Sequence, residues 1–256
     1  MDPCYGAVMT HPSSRADAIS VDLRLPLHVR VKDDMTRRIR ENEWTASTAL
    51  PPEAVLAEQY GISVGTLRRV QSELASEGLL ERQQGRGTYI RRASFEHSLF
   101  RFFRMQGGRD EPPIGRILSR NSENANLRIS RELGVSEHSA VLHLHRLRLW
   151  QDVPFLVEDI WLPLPQFQPI ADEAAEQLGN LLYPEYETRI GIIIGSATEE
   201  LSVTQATELQ AELLQCRPDD PLVRIDRTAR THSNDIVEFR EFFGLASTFH
   251  YSVEIN

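Results

Sequence analysis

The spacing of apolar residues changes once along the chain, near Arg92, and this change constrains the fold more than any other feature. Before it, apolar residues recur every three or four positions, the period of an amphipathic helix, as at Val31, Met35 and Ile39. After it, several stretches alternate apolar and polar residues, the period of a β-strand. With 256 residues, the chain is long enough for two domains of ordinary size. The sequence therefore predicts a disordered tail over residues 1–20, a helical domain over 21–92 and a sheet-containing domain over 93–256.

The composition is that of a globular protein and excludes several broad classes. Hydrophobic residues make up 41% of the chain and charged residues 25%, a balance too apolar for a largely disordered protein. No stretch reaches the roughly 18 consecutive apolar residues of a membrane-spanning helix. The first 20 residues lack the basic start and apolar core of a secretory signal. With only Cys4 and Cys216, we expect no disulfide framework and a cytoplasmic location.

The chain contains one lysine, Lys32, so 27 of its 28 cationic residues are arginines. A phosphate-binding P-loop needs Gly-Lys followed by Ser or Thr, and a pyridoxal enzyme needs a lysine for its Schiff base. Lys32 lies in the segment VRVKDDM, which has no glycine-rich loop beside it. Both kinds of site are excluded, and no cofactor is expected.

Charge is distributed unevenly, although the net charge of −9 taken alone argues against a nucleic acid partner. Residues 20–92 hold 12 Lys and Arg against 10 Asp and Glu, a net charge of +2, and the rest of the chain carries −11. A mildly basic N-terminal segment on an acidic protein is the asymmetry expected when only that segment contacts phosphates.

Three helices are predicted in this segment. The first spans Leu27–Asn42, and the second begins at Pro51-Pro52-Glu53, since proline is favoured in a first helical turn. Gly61 ends the second helix. Its inward-facing residues are Val55, Leu56 and Tyr60.

The third helix is capped by Ser63 and closed near Gly78. Arg68 and Arg69 point outward from it. Its inward-facing residues are Leu67, Val70 and Leu74. Two helices joined by a short turn containing glycine are typical of a helix-turn-helix, whose second helix enters the DNA major groove.

A hairpin follows the third helix directly. Residues 79–82 and 88–91 read as its two strands, and the tip is QQGRG at residues 83–87. A glycine-rich, basic tip beside a helix with outward arginines indicates a winged helix-turn-helix that binds double-stranded DNA.

The segment LPPEAVLAEQYGISVGTLRRVQSELASEGLLERQQGRGTYI resembles the DNA-binding domain of the GntR family of bacterial repressors. The family pattern runs LPSE-x-x-LA, then G-V-S-R-x-T-V-R-x-A-L, then R-x-x-G-x-G-T-x-V. The resemblance implies operator contacts from the start of the third helix and from the wing. The expected contact residues are Ser63, Val64, Gly65, Thr66, Arg68, Arg69, Gln84, Gly85, Arg86 and Gly87.

Three positions depart from the family pattern. Val64 stands where the family usually has Arg, Gly65 replaces Thr, and Ala54 stands where Arg is frequent. An arginine that binds guanine through two hydrogen bonds supplies roughly 1–3 kcal/mol of discrimination, and valine can only contact a thymine methyl. We therefore expect an operator read through fewer guanine contacts.

The C-terminal part combines strands and helices that do not strictly alternate. This order predicts an α+β domain built on an antiparallel sheet. The predicted strands are 140–150, 155–162, 222–229 and 236–243, and the predicted helices are 125–133 and 204–214.

Arg146, Arg148 and Glu158 share strand faces with leucines, where charges need partners. An internal salt bridge or snorkelling arginine stems would explain them, and so would a ligand. The residues alone leave both explanations open.

The segment RLRLWQDVPFLVEDIWLP resembles the R-x-R-x-x-(D/N)-G-x-P-x-x-x-E motif of the UTRA effector domain in the HutC subfamily, whose fold is similar to chorismate lyase. The resemblance runs from about Ser94 to the C-terminus. It implies that Arg146 and Arg148 face a small anionic metabolite, with Glu158 on its polar part. Ser94, Phe95 and Glu238 resemble further residues of the effector site. Because Gly244, Leu245 and Ser247 replace the usual Tyr, Arg and Asp, we do not expect a standard hexosamine phosphate.

His143 and His145 are spaced like a metal pair, but no third ligand lies at a suitable distance in the sequence. We expect exposed histidines on a strand and no metal site.

The leading hypothesis is a homodimeric repressor that is not an enzyme and whose operator binding is controlled by the anion. One alternative is a small-molecule enzyme of chorismate-lyase-like fold, although no nucleophile or base constellation is apparent. The other is a DNA-bound module whose C-terminal domain only dimerises, which would leave the arginine pair unexplained.

Overall fold

The computed structural model describes residues 25–92 and 113–250, and the chain divides into two compact units, one up to Arg91 and one from Arg92. The predicted tail at residues 1–20 lies outside the described residues. The first unit contains α1 (Leu27–Arg40), α2 (Glu53–Tyr60), α3 (Val64–Ser76), β1 (Leu80–Gln83) and β2 (Gly87–Ile90). The second contains β3 (Ile114–Asn124), α4 (Leu127–Leu133), β4 (Ala140–Trp150), β5 (Val153–Pro163), α5 (Gln168–Asp172), α6 (Leu182–Ile190), β6 (Ile194–Gln205), α7 (Glu208–Leu214), β7 (Pro221–Thr231) and β8 (Ile236–Leu245).

The three helices of the first unit enclose a small apolar core. Its fully buried members include Val31, Met35, Ile39, Leu56, Leu67, Val70 and Leu74. The prediction that Val55 points inward is wrong, because this side chain is 42% exposed. On a helix of 100° per residue, Leu56, Ala57 and Tyr60 form the buried face, and Val55 falls on the opposite side.

The turn and the caps follow the predicted chemistry. Gly61 has φ 61°, a left-handed conformation that ends α2 without the steric cost of a β-carbon. The Ser63 hydroxyl accepts a hydrogen bond from the Thr66 amide and so caps α3.

The hairpin pairs β1 with β2, from Leu80 opposite Ile90 to Gln83 opposite Gly87. The Leu50 amide donates to the Thr88 carbonyl at 2.7 Å and ties the segment before α2 to the outer side of β2. Three helices and a two-stranded hairpin form the winged helix-turn-helix predicted from the sequence.

The second unit is built on a six-stranded antiparallel sheet of order β3-β4-β5-β8-β7-β6. Apolar residues of α5 and α6 pack on one face, which we call the α6 face. Residues of α4 and α7 pack on the other face. The predicted α+β class with an antiparallel sheet is confirmed.

Several predicted boundaries in this unit were wrong. The edge strands β3 and β6 and the helix α6 were not predicted. Residues 204 and 205 belong to β6, so the last helix begins at Glu208 instead of Thr204. Within the described residues, no helix is long and apolar enough to cross a membrane.

Candidate functional site

A cluster of charged side chains lies on the α6 face of the sheet, beneath its helices. Arg146 in β4 lies directly opposite Glu158 in β5, and Arg227 in β7 lies opposite Arg240 in β8. Strand alternation places Arg148 and Glu238 on the same face. All six side chains are buried: Arg146, Arg148, Glu158, Arg227, Glu238 and Arg240.

Glu158 is surrounded by guanidinium groups at ion-pair distance. Its nearest cations are Nη1 of Arg146 at 3.6 Å, Nη1 of Arg240 at 3.8 Å and Nε of Arg148 at 4.0 Å. Within the described parts of the chain, neither Oε2 of Glu158 nor Nε of Arg146 has a hydrogen-bond partner. Buried polar atoms left without partners are costly, so this cluster is not internally satisfied.

The carboxylate of Glu238 is fully engaged. Arg240 donates to both oxygens of Glu238 at 3.0 and 2.6 Å, and the hydroxyls of Tyr183 and Tyr186 each donate to one of these oxygens at 2.8 Å. Four donors on two oxygens fill the acceptor capacity of Glu238. Arg227 also has a carboxylate partner, because its Nε donates to Glu199 at 2.7 Å. Glu238 therefore lies in the cluster as the resemblance implied, but its oxygens already have partners.

Among the described residues, the four guanidiniums of the cluster lie within 4.0 Å of three carboxylates, those of Glu158, Glu199 and Glu238. Glu199 pairs with Arg227 and Glu238 with Arg240, whereas Arg146 and Arg148 both lie beside Glu158. The Arg146–Arg148 pair thus brings two positive charges to one place in the cluster.

Burial and neighbours act in opposite directions on the pKa values of these groups. Burial lowers the pKa of Arg146 to about 10, partly against the attraction of Glu158, so the group stays charged at neutral pH. Burial alone would raise the pKa of Glu158, but the surrounding arginines outweigh it and hold the pKa below its usual value. Arg146 and Glu158 are therefore both ionised at neutral pH.

The backbone carbonyl oxygen of Asn180 accepts hydrogen bonds from both arginines of the Arg146–Arg148 pair. Arg148 donates to this oxygen through Nη1 at 2.6 Å, and Arg146 donates to it through Nη2. Asn180 itself is exposed and lies just before α6. The segment before α6 therefore covers part of the buried cluster.

Of the predicted effector residues, the structure brings together Arg146, Arg148, Glu158 and Glu238, whereas Ser94 and Phe95 lie outside the described residues. Sequence reasoning missed Arg227, Arg240 and Asn180. Arg240 follows Glu238 by two positions and therefore shares its face, so strand alternation could have found it. The contact of a backbone carbonyl leaves no signal in the sequence.

The expected DNA-contacting residues of α3 lie at its exposed start. Arg68 and Arg69 both reach solvent, with side chains 63% and 67% exposed. The Nε of Arg68 lies 2.6 Å from Glu53 at the start of α2, and that of Arg69 lies 3.1 Å from Glu73. Ser63 caps the helix, and Val64, Gly65 and Thr66 form its first turn.

The wing is tied to α3 by one arginine. Arg82 in β1 donates to the Arg68 carbonyl at 3.4 Å and to the Ser72 hydroxyl at 3.3 Å. The tip beyond it consists of Gln84, Gly85 and Arg86, all exposed, and Gly85 has φ 73°. Arg82 thus links the strand before the tip to the middle of α3, and we call the start of α3 and the wing tip together the reading surface.

The prediction that His143 and His145 are exposed is wrong. Their side chains are only 21% and 16% exposed, and both lie 2.8 Å from Oδ1 of Asp159 on the neighbouring strand. His143 also stacks on Trp161 with ring centroids 4.7 Å apart. No group of three such ligands that could hold a metal is found in the described residues.

Family comparisons match both units. Residues 27–90 match the gntR family of bacterial regulatory proteins, and residues 108–250 match the UTRA domain. The second match covers more than half of the chain.

Relatives match over most of their length. The chain is 28% identical to the HTH-type transcriptional repressor NagR of Bacillus subtilis, covering 80% of this chain and 84% of that protein. It is 29% identical to the HTH-type transcriptional regulator SmoD of Agrobacterium fabrum, covering 84% and 89%. It is 25% identical to a probable fructoselysine utilization operon transcriptional repressor of Escherichia coli, covering 89% and 94%.

Solved structures give the same result. The ligand-binding domain of a putative GntR-family regulator from Bordetella bronchiseptica is 27% identical, with a TM-score of 0.53 over 56% of this chain and 92% of that one. The possible transcriptional regulator YydK of Bacillus subtilis shares the fold at 14% identity, with a TM-score of 0.52 over 91% of this chain and all of that one. The chain belongs to the GntR family of bacterial regulatory proteins and carries a UTRA domain.

Proposed function

We propose that this protein is a transcriptional repressor that binds operator DNA through its reading surface and a small anion through the Arg146–Arg148 pair. Its proposed DNA contacts are the residues of α3 and the wing predicted from the sequence. Two copies bind the two halves of a near-palindromic operator, and binding of the anion controls this contact. A regulator of this kind acts in the cytoplasm, where bacterial DNA lies.

The convergence of two buried guanidiniums carries the proposal. Arg146 and Arg148 lie beside the same carboxylate, Glu158, and both donate to one neutral oxygen, the carbonyl of Asn180. A pair of converging guanidiniums favours an anion as ligand, because negative charge beside it stabilises buried positive charge. Oε2 of Glu158 can then accept a hydrogen bond from a hydroxyl, amine or ring nitrogen of the same ligand.

The comparisons support a regulator over an enzyme. The family, NagR and SmoD are all described as regulators of transcription. Among the described residues, the buried cluster consists of arginines, carboxylates and tyrosines that hold one another in place, and it does not favour the enzyme alternative.

The test is a calorimetric titration of the folded protein with inorganic phosphate, glycerol 3-phosphate and glycerate. We expect Arg148→Ala to reduce the affinity for whichever anion binds the unmodified protein by at least tenfold, since a charge-assisted contact is lost. Arg148→Lys keeps the charge and serves as the second variant should the first unfold.

Arg227→Ala is the matched control, because it removes an equally buried arginine whose charge is balanced by Glu199. It should lower stability without a specific loss of anion affinity. Unchanged affinity in both Arg148 variants would refute the proposed site.

A further inference from the structure

A backbone oxygen already fills the position that an anion would take between Arg146 and Arg148. Both guanidiniums donate to one acceptor, the backbone oxygen of Asn180. A neutral carbonyl is a weaker acceptor for a guanidinium than a carboxylate or phosphate oxygen, because it carries no net charge that attracts the cation. An anion arriving at the pair would therefore displace this carbonyl.

The side chain of Asn180 holds the carbonyl in place. Its Oδ1 accepts a hydrogen bond from the Gly115 amide of β3 at 3.2 Å. The neighbouring Gly179 amide donates to Glu185 of α6 at 3.3 Å. The segment is thus fixed on one side to the sheet and on the other to the helix that follows it.

We propose that Asn180 is an internal competitor of the effector: its carbonyl occupies the anion position, and its side chain sets how tightly the effector binds. This inference rests on the proposed function, since it requires an anion at the Arg146–Arg148 pair. The effector replaces the carbonyl, and the Asn180 segment leaves its anchor on β3.

Displacement of this segment reaches α6 directly. Two residues of its first turns, Tyr183 and Tyr186, donate to Glu238 in the centre of the sheet. The start of α6 therefore connects the anion position to β8. Binding of the effector at the anion position therefore changes the restraint that α6 places on β8.

The competitor role predicts an effect opposite to that of a residue that binds the effector. Asn180→Ala keeps the backbone carbonyl but removes the anchor, so displacement costs less. We expect anions to bind about fivefold more tightly, the equivalent of one hydrogen bond of about 1 kcal/mol. A side chain that contacts the effector would weaken binding when removed.

The experiment titrates the full-length protein, Asn180→Ala and Asn121→Ala with inorganic phosphate, glycerol 3-phosphate and glycerate. Asn121 is an exposed asparagine of β3 and provides the matched control. Asn180→Ser is the second variant should the first fail to fold. Tighter anion binding in the Asn180 variants, together with unchanged binding in Asn121→Ala, supports the proposal.

Amide hydrogen exchange supplies an independent measurement. The Gly115 amide should exchange faster when the anion is bound, since its acceptor has moved away. Unchanged or weaker anion binding in the Asn180 variants, or slower exchange at Gly115, overturns the competitor role. The proposed anion site is still supported in that case if Arg148→Ala loses anion affinity. If Arg148→Ala also binds normally, or if none of the three anions binds, the site itself fails and the competitor role fails with it.

Discussion

A β-carbon built on Gly115 would lie 1.7 Å from Nη2 of Arg146, so the guanidinium occupies the space that a side chain at position 115 would need. β3 is an edge strand, and its Gly115 lies opposite Arg148, two positions along β4 from Arg146. The absence of a side chain at position 115 is therefore a condition for the buried position of Arg146.

Gly115→Ala should displace the Arg146 guanidinium while leaving the fold intact, because the arginine is flexible and the strand lies at the edge of the sheet. We expect anion affinity to fall at least fivefold and operator affinity without anion to remain as in the unmodified protein. Calorimetry and electrophoretic mobility shifts measure the two affinities. Ser119→Ala in the same strand is the control, and an equal loss in that variant would argue against a specific effect on Arg146.

Arg68→Ala should weaken operator binding and lower its salt dependence. If Arg68 contacts a phosphate, its loss removes about one unit from the slope of log affinity against log salt. Fluorescence anisotropy at several salt concentrations gives this slope. Arg131→Ala changes an exposed arginine of the second unit and should leave the slope unchanged. A slope that stays constant in Arg68→Ala would rule out the phosphate contact.

The protein should be a homodimer in solution. A near-palindromic operator has half-sites about 34–36 Å apart, or a multiple of this distance, and each needs its own recognition helix. Light scattering at micromolar concentration should give twice the chain mass of 29.2 kDa. The mass of a single chain, together with binding to one half-site, would contradict the prediction.

His143 should make stability depend on pH. Burial lowers the pKa of His143, but the contacts with Asp159 and Glu123 outweigh this and raise it above its usual value of 6.5. Protonated His143 thus stabilises the fold below pH 6.5, and this contribution disappears as the pH rises through the folded-state pKa.

The measurement is urea unfolding between pH 5.5 and 9 for the unmodified protein and His143→Gln. We expect the variant to be less stable by about 1 kcal/mol at the acidic end, with the difference shrinking towards pH 9. Asp159→Asn removes the partner of the histidine and should reduce the pH dependence in the same way. A stability difference that is constant with pH would show that this ionisation is not coupled to folding.

The pairing of Arg146 with Glu158 illustrates how far sequence reasoning reaches. Alternation predicted that each of these residues lies on an apolar strand face, and the family motif implied that they meet at one effector site. Counting back from the two-residue turn at Gln151 and Asp152, however, would place Arg146 opposite Val157. The register shifts between Arg148 and Leu149, where β5 contains one residue more than β4, Phe155, and this bulge brings Arg146 opposite Glu158.

The same shift explains the error on the histidines. It places His145 opposite Asp159, and His143 reaches the same carboxylate.

The edge strands β3 and β6 were missed because most of their residues are at least partly exposed and polar, so they show little of the apolar alternation that marks a strand.

The hydrogen bonds from Arg82 to the Arg68 carbonyl and the Ser72 hydroxyl restrain how the DNA-binding unit can respond to an effector. They hold the wing at one distance from the recognition helix within each copy. We therefore expect a signal from the proposed anion site to alter the separation between the two copies of the expected homodimer. Operators with one extra or one missing base pair between the half-sites should consequently change the effector response, which is the ratio of operator affinities without and with the effector. Single-base changes within a half-site should alter both affinities by the same factor and leave this ratio unchanged.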